Sequence, residues 1–446
     1  YQALGIAWDS RPEAEGGQRW FHLYPDERIT PNDALHWTGR EQNWNYQCAE
    51  CHSTNVRKNF DLPSKSYATT WSEIDVSCEA CHGPGSQHVA LAKRVAADRE
   101  SPPDSWAVAL AVGEGGQWVR AADQQTAQRT EARAAADQVE TCAHCHSRRS
   151  TIAEGRTAGT PFLDSDRPAL MREGVYHPDG QILGEVYVYG SFIQSKMYRA
   201  GVTCTNCHDP HTLALRAPGN AVCSQCHAPA VFDAPSHDYH PLQAAGPACV
   251  DCHMPERTFM GVDPRRDHSL RIPRPDLTLV TGAPNACTAC HRDQPAIWAA
   301  NAVAAWYGSP ADSVPHFSRA FHAAWEGGAN AGGMLERVVR DRSESGFVRA
   351  SALSALAPHL GAPGRLATVE VGIEDADPLV RLGALEALAS FAPDVRLRLA
   401  YRLLSDPTRA IRIEAARLLA SVPAEGLPGG AQDTLLAEGL TEYIDA

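Results

Sequence analysis

The sequence predicts a mainly α-helical protein with much irregular loop, divided into two parts of different texture. Three observations predict this class. Cysteine occurs only in short repeated motifs between residues 48 and 290. Glycine and proline separate those motifs, so the first part should hold turns and short helices. Alanine and leucine are frequent in residues 296–446, where an apolar pattern typical of helices recurs three times.

Every cysteine belongs to a Cys-x-x-Cys-His motif, and seven such motifs (numbered 1 to 7 along the chain) account for all 14 cysteines. This motif is the attachment signature of c-type haem: two thiols add to the porphyrin vinyl groups, and the histidine becomes the proximal ligand of the iron. The predicted thioether residues are Cys48, Cys51, Cys78, Cys81, Cys142, Cys145, Cys204, Cys207, Cys223, Cys226, Cys249, Cys252, Cys287 and Cys290. The predicted proximal ligands are His52, His82, His146, His208, His227, His253 and His291.

Zinc ribbons and disulfide frameworks also use paired cysteines. Neither requires a histidine directly after the second cysteine in all seven copies. Histidine fills 19 of 446 positions, so chance does not explain the recurrence. The sequence therefore predicts seven c-type haems (haem C, with iron) and leaves no cysteine for disulfides.

The amino-acid composition limits which cellular compartments and which classes of binding partner are possible. The chain is 43% hydrophobic and 21% charged, which is typical of a folded protein. It has no apolar run long enough to span a membrane and no visible signal peptide. Because covalent haem attachment takes place outside the cytoplasm, we predict a periplasmic or extracellular location. The formal charge of −13, before haem propionates are counted, argues against nucleic acid as a partner. It favours redox protein partners or an extracellular electron acceptor.

Residues 1–295 are predicted to form a heptahaem cytochrome c domain. With seven haems in 295 residues, the cofactors themselves must supply much of the apolar interior. Two alanine-rich stretches with helical spacing, 86–98 and 120–141, predict helices. The β-branched and aromatic stretch 182–190 predicts a short strand.

Residues 296–446 are predicted to form a second domain, a HEAT-like α-solenoid. Val348-Arg349, Val380-Arg381 and Ile411-Arg412 recur at a spacing of 31–32 residues, each followed by small or apolar residues at equivalent offsets. Asp-Pro pairs at 377–378 and 406–407 precede the second and third units, where proline suits a first helical turn. Helix pairs at such a period stack into a solenoid. The period is shorter than is usual for HEAT repeats, and an ordinary helical bundle is the alternative.

The remaining histidines bear on function, because an iron with a second axial histidine transfers electrons while an open iron can bind a substrate. Removing the seven proximal histidines from 19 leaves twelve, three of which fall in the helical part. The nine candidate distal ligands in the haem domain are His22, His36, His88, His144, His177, His211, His237, His240 and His268. Nine histidines are enough to give each of the seven irons a second axial ligand, so the sequence favours haems that are mostly bis-histidine.

Several of these histidines have a plausible role other than distal iron ligand. His237 and His240 are expected to compete, with one of them a ligand. His144, between two haem cysteines, has a solvated or propionate-bonded role as its alternative, and His22 is similar. Met197 and Met254 are more typical of packing. The pairs Arg148-Arg149 and Arg265-Arg266 are either partners of haem propionates or surface charge.

Several stretches resemble a known family, namely residues 19–29, 36–61, 76–88, 185–211, 249–277 and 284–291. They are similar to bacterial multihaem cytochromes with C-terminal HEAT- or tetratricopeptide-type repeats. That family lies within the broad group of the tetrahaem cytochrome of ammonia oxidisers, pentahaem nitrite reductase and octahaem reductases. The resemblance implies an additional haem motif before this chain and further repeats after it. The chain would then be a fragment, a processed form or an atypical short member.

One departure from the group concerns catalysis. Pentahaem nitrite reductases hold their active haem through Cys-x-x-Cys-Lys, whereas all seven motifs here end in histidine. This argues against the ammonia-forming site and leaves open a histidine-ligated haem with a free position. By analogy with such relatives, Tyr187, Tyr189 and Lys196 are candidates to act above an open iron.

We therefore predict an extracytoplasmic electron carrier, with the helical part as a docking or assembly platform. The first alternative is an enzyme with one open haem that reduces a nitrogen or sulfur oxyanion. The second is a subunit of a cytochrome filament that self-associates through its end haems or helical repeats. His22 and His36 would then be the histidines most suited to sharing between subunits.

Overall fold

The β-sheets among the described residues are all short, two-stranded antiparallel pairs. The computed structural model describes residues 1–98, 116–131, 137–240, 247–308, 316–361, 364–423, 426–430 and 433–446. The hairpins pair β1 (Ile6–Asp9) with β2 (Arg19–His22), β3 (Phe60–Asp61) with β4 (Ser66–Tyr67), β5 (Trp118–Val119) with β6 (Gln128–Arg129), β7 (Arg149–Thr151) with β8 (Asp166–Pro168), and β9 (Glu256–Phe259) with β10 (Asp263–Arg266).

Helices before residue 295 are mostly single turns. They are α1 (Trp44–Gln47), α2 (Ala49–His52), α3 (Cys78–His82), α4 (Ser86–Asp98), α5 (Asp137–His146), α6 (Phe162–Ser165), α7 (Tyr189–Phe192), α8 (Lys196–Arg199), α9 (Ala221–Ser224), α10 (Pro229–Phe232), α11 (Pro235–Asp238), α12 (Cys249–His253), α13 (Pro275–Thr281) and α14 (Ala286–Cys290). Single turns are weak on their own, so this part depends on tertiary contacts and cofactors.

The helix predicted over 86–98 is confirmed as α4. The helix predicted over 120–141 is wrong for residues 120–131, which form turns and β6, while 132–136 lie outside the described residues and α5 starts at Asp137. The reason is a tertiary pairing with motif 5: the Ala127 N–H donates to the Cys226 carbonyl at 2.8 Å, and the Ala228 N–H donates to the Gln125 carbonyl at 2.8 Å. Backbone pairing has overridden the helix propensity of alanine.

The strand predicted over 182–190 is also wrong. Isolated bridges pair Ile182 with Tyr176 and Tyr187 with Ser147, but no ladder forms, and α7 begins at Tyr189. Tyr187 has a φ of 59°, which is left-handed backbone and incompatible with an extended strand.

Longer helices fill the chain after residue 295. They are α15 (Ala296–Tyr307), α16 (Ser318–Trp325), α17 (Ala331–Arg340), α18 (Gly346–Leu356), α19 (Leu366–Ile373), α20 (Pro378–Leu388), α21 (Pro393–Ala400), α22 (Arg409–Leu419) and α23 (Thr434–Asp445). The eleven-residue helices α18, α20 and α22 carry the three repeated sequence units, and α20 contacts both of the others. No helix among the described residues is long and apolar enough to cross a membrane.

A ladder of arginines links successive repeat units. Arg381 donates to the Asp375 carbonyl at 2.9 Å and to the Asp406 carboxylate at 3.0 Å. One unit later, Arg412 donates to the Asp406 carbonyl at 2.9 Å and to the Glu442 carboxylate at 2.7 Å. The repeated Val/Ile-Arg pair therefore supplies one packed apolar side chain and one inter-unit ion pair.

Replacing Arg381 with alanine should lower the free energy of unfolding by about 3 kcal/mol, because it leaves the Asp406 carboxylate buried without its partner. Arg398 is the control, since its ion pair with Glu370 is exposed and should contribute at most about 1 kcal/mol. Urea denaturation followed by far-UV circular dichroism measures both. Similar losses in the two variants would contradict the ladder.

The hydrophobic core crosses the predicted domain boundary at residue 295. One cluster of buried side chains runs from Val139 to Leu436. Within it, the Tyr176 ring packs edge-on against Phe347 at 5.9 Å, and the Met171 N–H donates to Ser351 Oγ at 3.0 Å. The division of the chain at 295 stays a prediction, while these contacts join the two sides.

His316, beside this core, is held neutral. Burial lowers its pKa to about 3, and nearby Arg271 and Arg274 act in the same direction. Its Nδ1 accepts the Ser318 N–H at 3.2 Å, so that nitrogen carries no proton.

The depressed pKa predicts a loss of stability in acid. The unfolded chain binds a proton below a pKa of about 6.5 and the folded chain resists it, so stability is present above pH 6.5 and falls as the pH drops towards 3. The loss is about 2 kcal/mol at pH 5. His316→Gln should reduce this dependence, whereas His322→Gln should leave it intact. Thermal unfolding between pH 5 and pH 7.5 tests this, and parallel curves for wild type and His316→Gln would contradict it.

Candidate haem-binding sites

Each Cys-x-x-Cys-His motif spans about one helical turn. Motif 3 forms the last residues of α5, and motif 4 begins with a 3₁₀ turn at Cys204–Asn206. The histidine N–H donates to the carbonyl of the first cysteine in motifs 1, 4, 5 and 7, at 3.1, 3.0, 3.0 and 2.9 Å. One such turn places the first cysteine, the second cysteine and the histidine on the same side of the backbone. This arrangement lets two sulfurs and one imidazole act on one planar group.

A cavity of about 3000 Å³ lies against motifs 1 to 5 and is lined by cysteines from each of them. Ordinary ligand pockets measure about 300–1,000 Å³. The lining is mainly apolar, with arginines such as Arg148 and Arg265 at its wall. The cavity therefore suits several large apolar cofactors that carry acidic groups.

Cysteines of different motifs adjoin one another in a defined order. Cys51 of motif 1 donates its S–H to the Cys145 carbonyl of motif 3 at 3.8 Å. The thiol of Cys204 raises the pKa of Cys142, and the thiol of Cys223 raises the pKa of Cys249, so motif 3 adjoins motif 4 and motif 5 adjoins motif 6. Thiols also lie close enough for their charges to interact between motifs 2 and 3, 4 and 5, and 6 and 7, through Cys81 and Cys142, Cys207 and Cys223, and Cys252 and Cys287. The motifs form a continuous series from 2 to 7, and motif 1 adjoins motif 3.

Four of the predicted proximal histidines each face a second imidazole. The ring centroids are 6.1 Å apart for His82 and His211, 6.3 Å for His208 and His268, 6.0 Å for His253 and His237, and 6.3 Å for His291 and His240. An iron between two imidazoles requires about 6.4 Å, from two metal–nitrogen bonds of about 2 Å and two ring radii of about 1.2 Å. These residues fit a haem iron between the rings.

Backbone carbonyls orient several of these rings. The Nδ1 atoms of His240, His253 and His268 lie 2.7, 2.9 and 2.9 Å from the carbonyl oxygens of Asp238, Arg271 and Arg266. An Nδ1–H that donates to a carbonyl leaves the Nε2 lone pair for a metal. Burial also lowers the pKa of His268 and of His237, which favours the neutral imidazole that binds iron.

The structure places His237 and His240 differently from the sequence interpretation, which expected them to compete. They face the proximal histidines of motifs 6 and 7, respectively. Tyr239, between them, adopts left-handed backbone with a φ of 58°, and this sharp turn separates the two rings. Sequence spacing alone could not reveal the turn, because tyrosine seldom adopts it.

The other five candidates lie in different environments. Both ring nitrogens of buried His144 are engaged, Nδ1 with Asp166 at 2.8 Å and Nε2 with the Thr160 carbonyl at 3.3 Å. His22 Nδ1 accepts the Tyr24 N–H at 3.0 Å, His36 Nδ1 contacts Thr38 Oγ1 at 2.8 Å, and His88 lies in the first turn of α4. His177 Nε2 is buried and has no hydrogen-bond partner among the described residues. Among the described residues, no second imidazole ring faces His52, His146 or His227 at the centroid distance found in the four histidine pairs.

A buried charged cluster connects motifs 1 and 3. Arg149 lies 3.1 Å from Glu50 and 2.7 Å from Asp166, and Lys58 lies 3.4 Å from Glu50. Burial alone would raise the pKa of Glu50, but Arg149 and Lys58 outweigh it and hold that pKa below its usual value. For Arg149 the surface-charge interpretation is wrong, since its side chain is only 6% exposed. Sequence reasoning missed Glu50, although it lies inside motif 1.

The other paired arginines also contact protein groups. Arg148 donates to the Glu185 carbonyl at 3.1 Å, and Arg265 pairs with Glu185 at 2.7 Å. Arg266 pairs with Asp251 at 3.0 Å. These partners hold the guanidinium groups at or near the cavity wall, where a propionate could be an additional partner.

Of the residues named by analogy with catalytic relatives, Tyr187 lies nearest a motif. The residue as a whole is 41% exposed, but its hydroxyl interacts electrostatically with the thiols of motif 1, and desolvation of that hydroxyl raises its pKa to about 12. The Arg265 guanidinium lies 5.4 Å from the centre of its ring. Tyr189 instead packs into the core against Phe162, and Lys196 is an exposed residue at the start of α8.

Comparisons with known proteins cover part of this arrangement. A family model described as the NapC/NirT cytochrome c family, N-terminal region, matches residues 31–160, which hold motifs 1 to 3. A model of the doubled CXXCH motif matches residues 197–232, which hold motifs 4 and 5. No curated protein matches the chain. Among solved structures, the outer cell wall cytochrome OcwA is 16% identical, over 87% of this chain and 82% of that chain, with a TM-score of 0.42. Together with the seven motifs, the two family matches support a multihaem c-type cytochrome.

Proposed function

We propose that this protein carries electrons outside the cytoplasm along seven haems, most of them closed by two histidines. The observation that carries the proposal is the set of four facing histidine pairs at 6.0–6.3 Å. A bound haem supplies reversible one-electron chemistry at its iron. The chain's own histidines then exclude substrates from that iron and set its potential together with burial and nearby charges.

The order of the motifs supports a branched route. Motifs 2 to 7 adjoin in sequence, and motif 1 adjoins motif 3. Electrons entering at motif 1 or motif 2 would meet at motif 3 and leave towards motif 7. Motif 3 would then be the junction of the route.

The helical part would serve as a docking or assembly platform. The regular recurrence of α18, α20 and α22 along the chain and the arginine ladder support the HEAT-like interpretation. The net charge of −13 favours a basic redox protein or an extracellular acceptor as partner. Self-association through the end haems or the repeats is a further use of the same surfaces.

Opening a single pair tests the ligand assignment. His268→Ala should make one haem high-spin, so the ferrous protein should bind one more equivalent of carbon monoxide per chain than wild type. His322→Ala, in the helical region, should bind the wild-type amount. Haem content is measured first, by the pyridine haemochrome spectrum. An unchanged stoichiometry in fully loaded His268→Ala would refute ligation by His268.

One observation favours an open haem at motif 1 as a second candidate. Tyr187 holds strained left-handed backbone beside the motif 1 thiols, and such strain tends to occur at functional sites. No imidazole faces His52 in the described part of the chain. A high-spin ferric signal shifted by nitrite in wild type and altered in Tyr187→Phe would support this site. A purely low-spin resting spectrum would exclude it.

A further inference from the structure

The segment from His237 to His240 carries two candidate ligands only three residues apart. His237 lies near the end of α11, and its ring faces His253 of motif 6. His240 follows the turn at Tyr239, and its ring faces His291 of motif 7. The His240 N–H donates to the Asp238 carboxylate at 2.8 Å, so the turn is closed by its own side chain.

Helix α15 holds this segment through aromatic residues at its C-terminal end. The Tyr239 and Trp306 rings stack 4.5 Å apart with only 3° between their planes, and the Tyr239 hydroxyl donates to the Trp306 carbonyl at 3.3 Å. The Tyr307 hydroxyl donates to the His237 carbonyl and lies 3.5 Å from His237 Nδ1. At the other end of α15, Trp298 packs against His291 at 4.8 Å.

We propose that residues 237–240 form a single clamp that closes the irons of motifs 6 and 7 together, and that Trp306, Tyr307 and Tyr239 are its positioning residues. The proposal rests on the proposed bis-histidine ligation. The left-handed backbone at Tyr239 is unfavourable for a residue with a side chain. The stack on Trp306 offsets that cost.

Loss of the stack would therefore release both ligands. Helix α11 is a single turn and cannot hold its own geometry. If Tyr239 relaxes from φ 58°, the direction of the chain changes between His237 and His240, and neither ring keeps its place. The irons of motifs 6 and 7, at the end of the motif series, would then lose their second axial histidines together.

The test counts carbon monoxide bound by the ferrous, fully loaded protein. Trp306→Ala should add two equivalents per chain over wild type, because Tyr239 then loses its stack and relaxes from the left-handed turn. His240→Ala should add one equivalent and His237→Ala one. Trp325→Ala, whose ring packs against Phe321 in the helical region, should add none.

The outcomes distinguish two hypotheses: that His237 and His240 are iron ligands, and that a single clamp holds both of them in place. If His237→Ala and His240→Ala add nothing, the bis-histidine proposal for these irons fails and the clamp fails with it. If they add one each while Trp306→Ala adds none or only one, the clamp alone is overturned. Where the larger changes lower haem content, Tyr307→Phe decides. It should shift the g-values of one low-spin ferric signal, and an unchanged spectrum would overturn the role of α15.

Discussion

Replacing Asp166 with asparagine should lower the free energy of unfolding of the haem-loaded protein by about 4 kcal/mol. Asp166 is fully buried and meets Arg149 at 2.7 Å, His144 at 2.8 Å and Ser165 Oγ at 2.8 Å. Asparagine keeps the shape but removes the charge, so buried Arg149 loses one of its two carboxylate partners. Guanidinium denaturation followed by circular dichroism measures the change.

The same substitution should also reduce haem occupancy at motifs 1 and 3. His144 lies between the cysteines of motif 3 and Glu50 between those of motif 1, and Arg149 with Asp166 ties the two together. Asp61→Asn is the matched control, because its carboxylate is exposed and bonds Ser64 within a β-hairpin. We expect that control to change stability by less than about 1 kcal/mol. Equal losses in the two variants would show that the cluster has no special role.

Short-range sequence patterns correctly predicted the features that depend only on neighbouring residues, namely the turns of the haem motifs and the helices of the repeats. Each haem motif spans about one helical turn, so its spacing alone predicts how two sulfurs and one imidazole are arranged. The repeats beginning at Val348, Val380 and Ile411 predicted the positions of α18, α20 and α22, because their apolar residues recur with the helical period.

Features that depend on residues distant in sequence could not be predicted in this way. The facing of His82 and His211, or of His208 and His268, depends on how separate loops meet. Residues 125–127 lie in a stretch that predicts a helix, yet their backbone pairs with motif 5. The sequence left Arg149 as either a partner of haem propionates or surface charge, but the structure buries it between partners from motif 1 and β8.

The helical part contacts the haem-bearing part through charges as well as through the core. Arg167 of β8 pairs with Glu386 of α20 at 2.6 Å and with Glu414 of α22 at 3.1 Å. The Arg409 N–H donates to the Asp164 carboxylate at 2.7 Å. Since β8 also carries Asp166, one short strand contacts both the repeats and the charged cluster beside motifs 1 and 3.

Removing the haem of motif 3 should divide the electron route. The double change Cys142→Ala and Cys145→Ala leaves six motifs, with 1 and 2 on one side of the junction and 4 to 7 on the other. We expect stopped-flow reoxidation by a bulky protein acceptor to become biphasic. If the acceptor docks at the motif 7 end, two of the six haems, a third of the amplitude, should become slow.

A matched variant loses the terminal haem instead, through Cys287→Ala and Cys290→Ala. It should keep a single fast phase, because motifs 1 to 6 remain continuous. Mass spectrometry of the haem content and circular dichroism establish that each variant is folded and lacks one haem. Single-phase reoxidation in the motif 3 variant would show that electrons bypass motif 3, and the branch point would then have to lie elsewhere in the series.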